Sequence, residues 1–321
     1  MAFDPAAFRP SGIFVPLVTP FAEGGDVAAS DLEHLAHTVI DEGAAGIVAL
    51  GTTAETATLS ARERRDVLRI CGGVCHERRV PLVVGAGSPD TVGTVRALDD
   101  LARDVDEESA VAAALVVVPY YTRPTEAGVV AHFEYVADRS PLPVIVYNVP
   151  YRTGQHLGWE SIVRLAEHPR IVGIKQAVGS LDADTVQLLA SHPTPHASFS
   201  ILAGDDVLVP PLLAMGAAGA IAAAANVCAP EFVELLGHWR RGDLTRARAL
   251  GNELAAPTAA LMSHPNPTAI KAVLFAQQRI SAPDVRLPLL AARDPEKVVA
   301  TITRLRSRDQ RAESSRYTPT G

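Results

Sequence analysis

Eight short apolar runs of strand length alternate along the chain with longer segments in which apolar residues recur at helical spacing. The runs cover 13–18, 46–50, 81–85, 114–118, 143–147, 171–175, 200–203 and 219–223. This alternation predicts a parallel sheet built from βαβ units. Eight strands joined by seven crossovers favour a closed barrel over an open doubly wound sheet. Gly-x-Gly-x-x-Gly is absent after the first run, which weighs further against a dinucleotide-binding sheet. The expected architecture is an α/β (β/α)8 TIM barrel over residues 11–230, then a C-terminal helical extension over 231–306. The charged and then Ser/Thr/Pro-rich stretch 307–321 is expected to be disordered. Ser30 with Glu33, and Ser60 with Glu63, have the form of capping boxes and predict helix starts after the first two loops.

Composition narrows the function classes. The 321 residues are 48% hydrophobic and 20% charged, enough for a large core. A net charge of −7 without a basic stripe argues against nucleic-acid binding, and Arg62, Arg64 and Arg65 read as a solvated helix face. Cys71 and Cys75 stand i, i+4 rather than as C-x-x-C, and Cys228 is far away, so neither a disulfide set nor a cysteine metal site is expected. A reducing cytoplasm is implied. The first residues lack a basic-then-apolar signal pattern, and no apolar stretch reaches spanning length, so no membrane association is expected.

In a parallel barrel the carboxyl ends of all strands open on one face, so loop residues distant in sequence converge there. Those ends carry Gly51-Thr52-Thr53-Ala54-Glu55, Pro119-Tyr120-Tyr121, Tyr147-Asn148-Val149-Pro150, Lys175, Gly204-Asp205-Asp206 and the region of Asn226. Lys175 directly follows a buried run. It is either a strand-end cation reaching into water or an amine desolvated at a pocket mouth, where lysine becomes a nucleophile. Such an amine condenses with a carbonyl to a Schiff base, and a phenol such as Tyr147, extended by Thr52 and Tyr121, can shuttle the proton. Tyr147 can also be read as a core-edge aromatic, and the Gly51-Thr52-Thr53 turn either as an ordinary connection or as a carboxylate cradle. Asp205-Asp206 reads as a cap for the following helix. His132, His156 and His196 fall on expected surfaces with no assigned role. The set lacks a His, Cys and carboxylate group suited to a metal.

VTPF (18–21), GTTAE (51–55), PYYTRP (119–124), YNVPYRTG (147–154), GIKQA (173–177), AGDD (203–206) and NPTAIK (266–271) follow in order at these strand ends. With them the chain resembles, over about residues 11–300, the dihydrodipicolinate synthase and N-acetylneuraminate lyase superfamily of pyruvate-dependent class I aldolases. The resemblance implies a Schiff base between pyruvate and Lys175, with neither metal nor separate cofactor. It implies a proton relay of Tyr147, Thr52 and Tyr121, and a pyruvate carboxylate held at Thr52-Thr53. It also implies a homotetramer, a dimer of dimers, in which Tyr121 crosses the dimer interface into a neighbour's site.

Arg152 in the RTG motif points to the synthase branch, where that arginine meets the carboxylate of a second substrate. Gly204 and Ile221 match pocket-lining positions. The implied reaction condenses pyruvate with L-aspartate 4-semialdehyde, a small aldehyde acceptor, to 4-hydroxy-tetrahydrodipicolinate on the diaminopimelate and lysine route. The alternatives are another pyruvate aldolase or dehydratase acting on a 2-oxo sugar acid or 4-hydroxy-2-oxo acid, and a non-catalytic barrel that binds an oxo acid. Three departures from the family pattern bear on the acceptor: Ala54 for glycine, Gln176 for glutamate and Val118 for threonine. Alanine at 54 would be strained if φ there were positive. Ala61 and Gly93 stand where many bacterial synthases carry the histidine and glutamate of a lysine-feedback site, so insensitivity to lysine is expected.

Overall fold

The computed structural model describes residues 8–104, 111–191 and 199–316, with side chains through Leu305. The eight strands are β1 (Gly12–Pro16), β2 (Gly46–Ala49), β3 (Leu82–Ala86), β4 (Val111–Val117), β5 (Val144–Asn148), β6 (Ile171–Gln176), β7 (Ser200–Ala203) and β8 (Gly219–Ile221). All neighbours pair in parallel and β8 returns to β1, with Phe14 opposite Ile221, so the sheet is the expected closed barrel. Strand boundaries shift by one to three residues from the apolar runs, because pairing register rather than hydrophobicity sets where a strand stops.

Closure depends on glycine where backbones meet. A side chain at Gly219 would run into the Gly12 carbonyl, and one at Gly85 into that of Leu50. Inside the barrel, Phe14, Val48, Val83, Leu115, Ile145 and Leu202 fill the axis. A larger apolar layer lies between the strands and the surrounding helices. These helices are α1 (Ala29–Asp41), α2 (Ala61–Arg78), α3 (Thr91–Asp104), α4 (Glu126–Arg139), the short α5 (Pro150–Thr153), α6 (Trp159–Ala166), α7 (Ala183–Ser191), α8 (Val209–Ala214) and α9 (Ala225–Arg240). The C-terminal region adds α10 (Leu244–Leu261), α11 (Thr268–Ala276) and α12 (Pro295–Arg316). The boundary expected at 230/231 falls inside α9, beside a kink at Cys228 and Pro230.

Ser60 and Glu63 form the expected capping box on α2. The Ser30 box does not form. Helix α1 starts at Ala29 with Ala28 as its N-cap, and the nearby Asp31 carboxylate is engaged by the amide and hydroxyl of Ser281. No side-chain hydrogen bond caps the start of α1. Helix α12 continues to Arg316, into the segment expected to be disordered, because 307–316 is rich in good helix formers such as Arg, Gln, Ala and Glu. Residues 317–321 lie outside the described ones. So does His196, whereas His132 is buried rather than on the surface. There it meets Thr91 Oγ1 at 3.0 Å, and burial pulls its imidazole down to about 4. All three cysteines are buried; burial pushes the Cys71 thiol up to about 12, so it is unreactive. Among the described residues no helix is long and apolar enough to cross a membrane.

Candidate active site at the carboxyl ends of the strands

A cavity of about 890 Å³ opens at the carboxyl end of the barrel, and Thr52, Tyr120, Tyr147, Arg152, Lys175 and Asn266 are among its lining residues. Strand β6 delivers Lys175 and β5 delivers Tyr147, paired in register as neighbours. Lys175 Nζ lies 4.3 Å from the centre of the Tyr147 ring. Both side chains are buried. Of the two readings of Lys175, the structure shows the desolvated amine.

Burial sets the electrostatics. It holds the Lys175 amine below its ordinary value; Asp206 and then Asp205 pull it back up, and Arg152 pushes it down. Burial raises the Tyr147 phenol, while Arg152 and Thr52 lower it. No ion pair closer than 4.0 Å joins Lys175 to a carboxylate among the described residues, so Asp206 and Asp205 act on it from beyond direct contact. Arg152, on the exposed rim in α5, is 5.4 Å from the centre of the Tyr151 ring.

The GTTAE segment forms a turn of 3-10 helix, Thr52–Ala54, whose first amides have no partner within the turn. This turn is tied down from three directions. Thr19 Oγ1 donates to the Ala54 carbonyl at 2.9 Å, Asn266 Nδ2 donates to Thr53 Oγ1 at 2.9 Å, and Glu55, with φ of 54°, is buried against Lys271. Ala54 is not among the residues with positive φ, so alanine is unstrained and the feared conflict does not arise.

The other departures are also accommodated. Gln176 Oε1 accepts from Asn148 Nδ2 at 3.0 Å while its Nε2 donates to Thr185 Oγ1 at 3.1 Å. Val118 is buried, with its amide on the Tyr147 carbonyl at 3.0 Å.

Not every expected site residue lines the cavity. Thr53 is buried beneath the turn, Ile221 belongs to the barrel axis, and Gly204 acts by being small: a Cβ there would sit 2.8 Å from Lys175 Cγ. Tyr121 is 90% exposed, with φ of 71°, an unfavourable backbone for a tyrosine.

Asp205 and Asp206 are not the helix cap that the sequence suggests. Asp206 Oδ1 accepts from Ala224 N at 2.5 Å and Asp205 Oδ2 from Gly179 N at 2.7 Å, so both carboxylates bridge neighbouring loops. Burial raises both. Asn266 was visible only as part of a motif, and its contact with Thr53 spans 213 positions of the chain. One metal-type group, His156, Asp182 and Asp184, occurs among the described residues; it does not line the cavity, and folding brings His156 to the two aspartates.

The chain matches the model of the Dihydrodipicolinate synthetase family over residues 9–304. It is 39% identical over 280 residues to the 4-hydroxy-tetrahydrodipicolinate synthase of Syntrophus aciditrophicus strain SB, covering 87% of this chain and 91% of that protein. It is 38% identical to the enzyme of that name from Nitratidesulfovibrio vulgaris strain Miyazaki F, covering 87% and 92%. The fold is similar to the 4-hydroxy-tetrahydrodipicolinate synthase from Methylacidiphilum fumariolicum SolV, with a TM-score of 0.86 and 31% identity over 95% of this chain and 99% of that one. It is also similar to a monomeric dihydrodipicolinate synthase variant, with a TM-score of 0.86 and 28% identity, covering 95% and 98%.

Proposed function

The chain belongs to the dihydrodipicolinate synthetase family, and from that premise we propose that it condenses pyruvate with L-aspartate 4-semialdehyde to 4-hydroxy-tetrahydrodipicolinate through a Schiff base on Lys175. The observation that carries the chemistry is the buried amine of Lys175 facing Tyr147 in the cavity.

Pyruvate's carboxylate settles on the Thr52 hydroxyl and the amides of Thr52 and Thr53, which puts its ketone before Lys175. The amine adds to the ketone carbon, water leaves, and the protonated imine draws electrons from the neighbouring methyl carbon. Tyr147 receives the methyl proton and passes it along Thr52, with Tyr121 of the neighbouring subunit extending the relay. The enamine carbon attacks the aldehyde of the acceptor, whose carboxylate is held at the rim by Arg152. The acceptor's own amine then replaces Lys175 at the imine carbon, closing the ring and freeing the enzyme. Activation by an amine needs no metal and no separate cofactor. The place of this reaction is the cytoplasm, in the synthesis of diaminopimelate and lysine, and the working form is a dimer of dimers.

The exposure and backbone strain of Tyr121 favour an interface role, since a tyrosine held in the left-handed region persists where a neighbour fixes it. The unstrained Ala54 and the satisfied Gln176 leave the turn and the lysine in the arrangement this reaction requires.

The test is to incubate the protein with pyruvate, reduce with borohydride, and map the mass increase by peptide mass spectrometry. The expected adduct is on Lys175. A folded protein that gives none, beside a positive control, would withdraw the Schiff-base reading. Turnover with the semialdehyde, followed beside retro-aldol release of pyruvate from 2-oxo sugar acids, then decides the acceptor.

A further inference from the structure

Among the described residues the buried Asp, Glu and Lys side chains are Glu55, Lys175, Asp206, Glu231 and Lys271. Glu55 and Lys271 neutralise each other in direct contact. Glu231 is on α9. Lys175 and Asp206 remain, at the same end of two paired strands: Lys175 lies opposite Leu202, and Asp206 follows three residues after β7 ends.

The local geometry sets the two at one end of paired strands and fixes one of them. Gly204 leaves the space through which the lysine stem passes. Asp206 is anchored by the Ala224 amide beyond β8, whereas Asp205 is turned to Gly179. The charged groups acting on Lys175 are Asp206, Asp205 and Arg152, and the effect of Asp206 exceeds that of Asp205. No direct ion pair closes between Lys175 and Asp206.

We infer that Asp206 is the counter-charge of the Lys175 iminium: a positioning residue that acts through Lys175 by favouring positive charge on its nitrogen. The inference rests on the Schiff-base reading above. A buried cation without compensating charge is costly, and the iminium is a cation in the same buried place. A carboxylate in direct contact holds the nitrogen as an ammonium, which has no lone pair, as Glu55 does for Lys271. One acting by its field from farther away favours the ammonium less, so the neutral amine still forms, and it supports the charge that follows.

The balance is simple. The amine bonds to the ketone carbon, a proton goes to the departing oxygen, water leaves, and nitrogen keeps the positive charge until the methyl C–H electrons flow into it. Asp206 takes no atom in these steps. Its charge keeps the imine nitrogen protonated, and so an electron sink, to a higher pH, at the cost of holding the free amine protonated to a higher pH as well.

Asp206→Asn therefore moves two limbs the same way. The acid limb of borohydride trapping moves to lower pH by about one unit, because the amine loses a charge that kept it protonated. The alkaline limb of exchange of the pyruvate methyl hydrogens with heavy water also moves to lower pH by about one unit, because the imine nitrogen loses the same charge, so exchange measured on that limb falls by about tenfold. Asp206→Glu restores both in part. A purely structural role would depress both rates at every pH and leave the limbs in place.

A second measurement does not need the variant to fold. Infrared titration of the carboxyl band, comparing wild type with Lys175→Ala, should show the Asp205 and Asp206 carboxyls protonating at higher pH once the lysine charge is gone. An unmoved trapping limb in Asp206→Asn, or identical carboxyl titrations, overturns this inference while leaving a wild-type pyruvate adduct to stand. Absence of any wild-type adduct removes the Schiff-base reading and this inference with it.

Discussion

Lys271 Nζ donates to Glu55 Oε1 at 2.6 Å, a direct pair in which both side chains are almost wholly buried. The same ammonium donates to the Asp284 carbonyl and lies 3.9 Å from the centre of the Phe21 ring, so it is saturated with partners. The barrel thus buries two lysines with different fates. Lys271 is spent on holding the GTTAE turn to the C-terminal region, and Lys175 has no carboxylate in direct contact among the described residues. Lys271→Met strands the Glu55 carboxylate in the interior and should cost about 3–5 kcal/mol. Denaturant unfolding measures this, and the double variant with Glu55→Gln should recover much of the loss. A single variant as stable as wild type would show that the pair does not anchor the turn.

Arg152 acts at two distances. Its guanidinium at the rim is proposed to hold the acceptor's carboxylate, a charge-assisted contact whose loss in Arg152→Ala should lower kcat/KM for the semialdehyde by roughly 10–100-fold. Pyruvate trapping should survive. Its pH profile should nevertheless move: Arg152 helps keep the Lys175 amine below its ordinary value, so removing that positive charge lets the amine stay protonated to higher pH. The neutral amine is the nucleophile, and the trapping limb shifts to the alkaline side. Unchanged semialdehyde turnover would refute the acceptor role.

Glu63 couples stability to pH. The hydrogen bond from Arg286 and those from Ser60 hold its carboxyl at about 2, from an ordinary 4.5. A depressed folded value means that the stabilisation is fully present above about 4.5 and disappears as pH falls through about 2. Since the Glu63 and Arg286 side chains are 21% and 22% exposed, the contribution should be modest, about 1 kcal/mol. Glu63→Gln should accordingly lower the melting temperature by a few degrees at neutral pH. That difference should shrink toward pH 2; one that persisted there would place the effect in packing rather than charge.

Much of the fold was legible because barrel strands are written as local apolar runs, and Ser60 capped α2 as its own neighbourhood dictates. The lysine and its tyrosine were legible because strand ends in a parallel barrel share one face. What escaped depended on contacts between distant segments. Ser281 reached Asp31 beside the start of α1, Ala224 and Gly179 claimed the aspartates read as a cap, and Asn266 reached Thr53 across 213 positions of the chain. The strain feared at Ala54 rested on a backbone angle that the sequence does not print; the left-handed residue is the adjacent Glu55.

Tyr121 gives the proposed oligomer a functional test. If its hydroxyl completes the neighbour's relay, Tyr121→Phe and Lys175→Ala should each be nearly inactive alone yet complement on mixing. Random pairing of equal amounts makes half the dimers mixed, each with one intact site of two, so roughly a quarter of wild-type activity should return. Native mass spectrometry of the mixture would establish that subunits exchange. Exchange without recovered activity would put Tyr121 outside the neighbour's site.

Gly204 tests how closely the lysine is fitted. A Cβ added there would meet Ala177 Cβ at 2.7 Å, Lys175 Cγ at 2.8 Å and the Gln176 carbonyl at 3.0 Å. The first and last are held by strand β6 and its continuation, with the Gly204 amide itself bonded to the Gln176 carbonyl at 2.8 Å, so they cannot retreat. The lysine stem is the part that can move, and moving it displaces the nucleophile from Tyr147. Gly204→Ala should therefore cost about 1–3 kcal/mol in stability from overpacking. A displacement on the order of 1 Å should cost about 100-fold in the rate of adduct formation, a larger effect than the stability loss. Single-turnover trapping beside a thermal melt separates the two. A variant that melts early but traps pyruvate at the wild-type rate would mean that the strand yields before the lysine does.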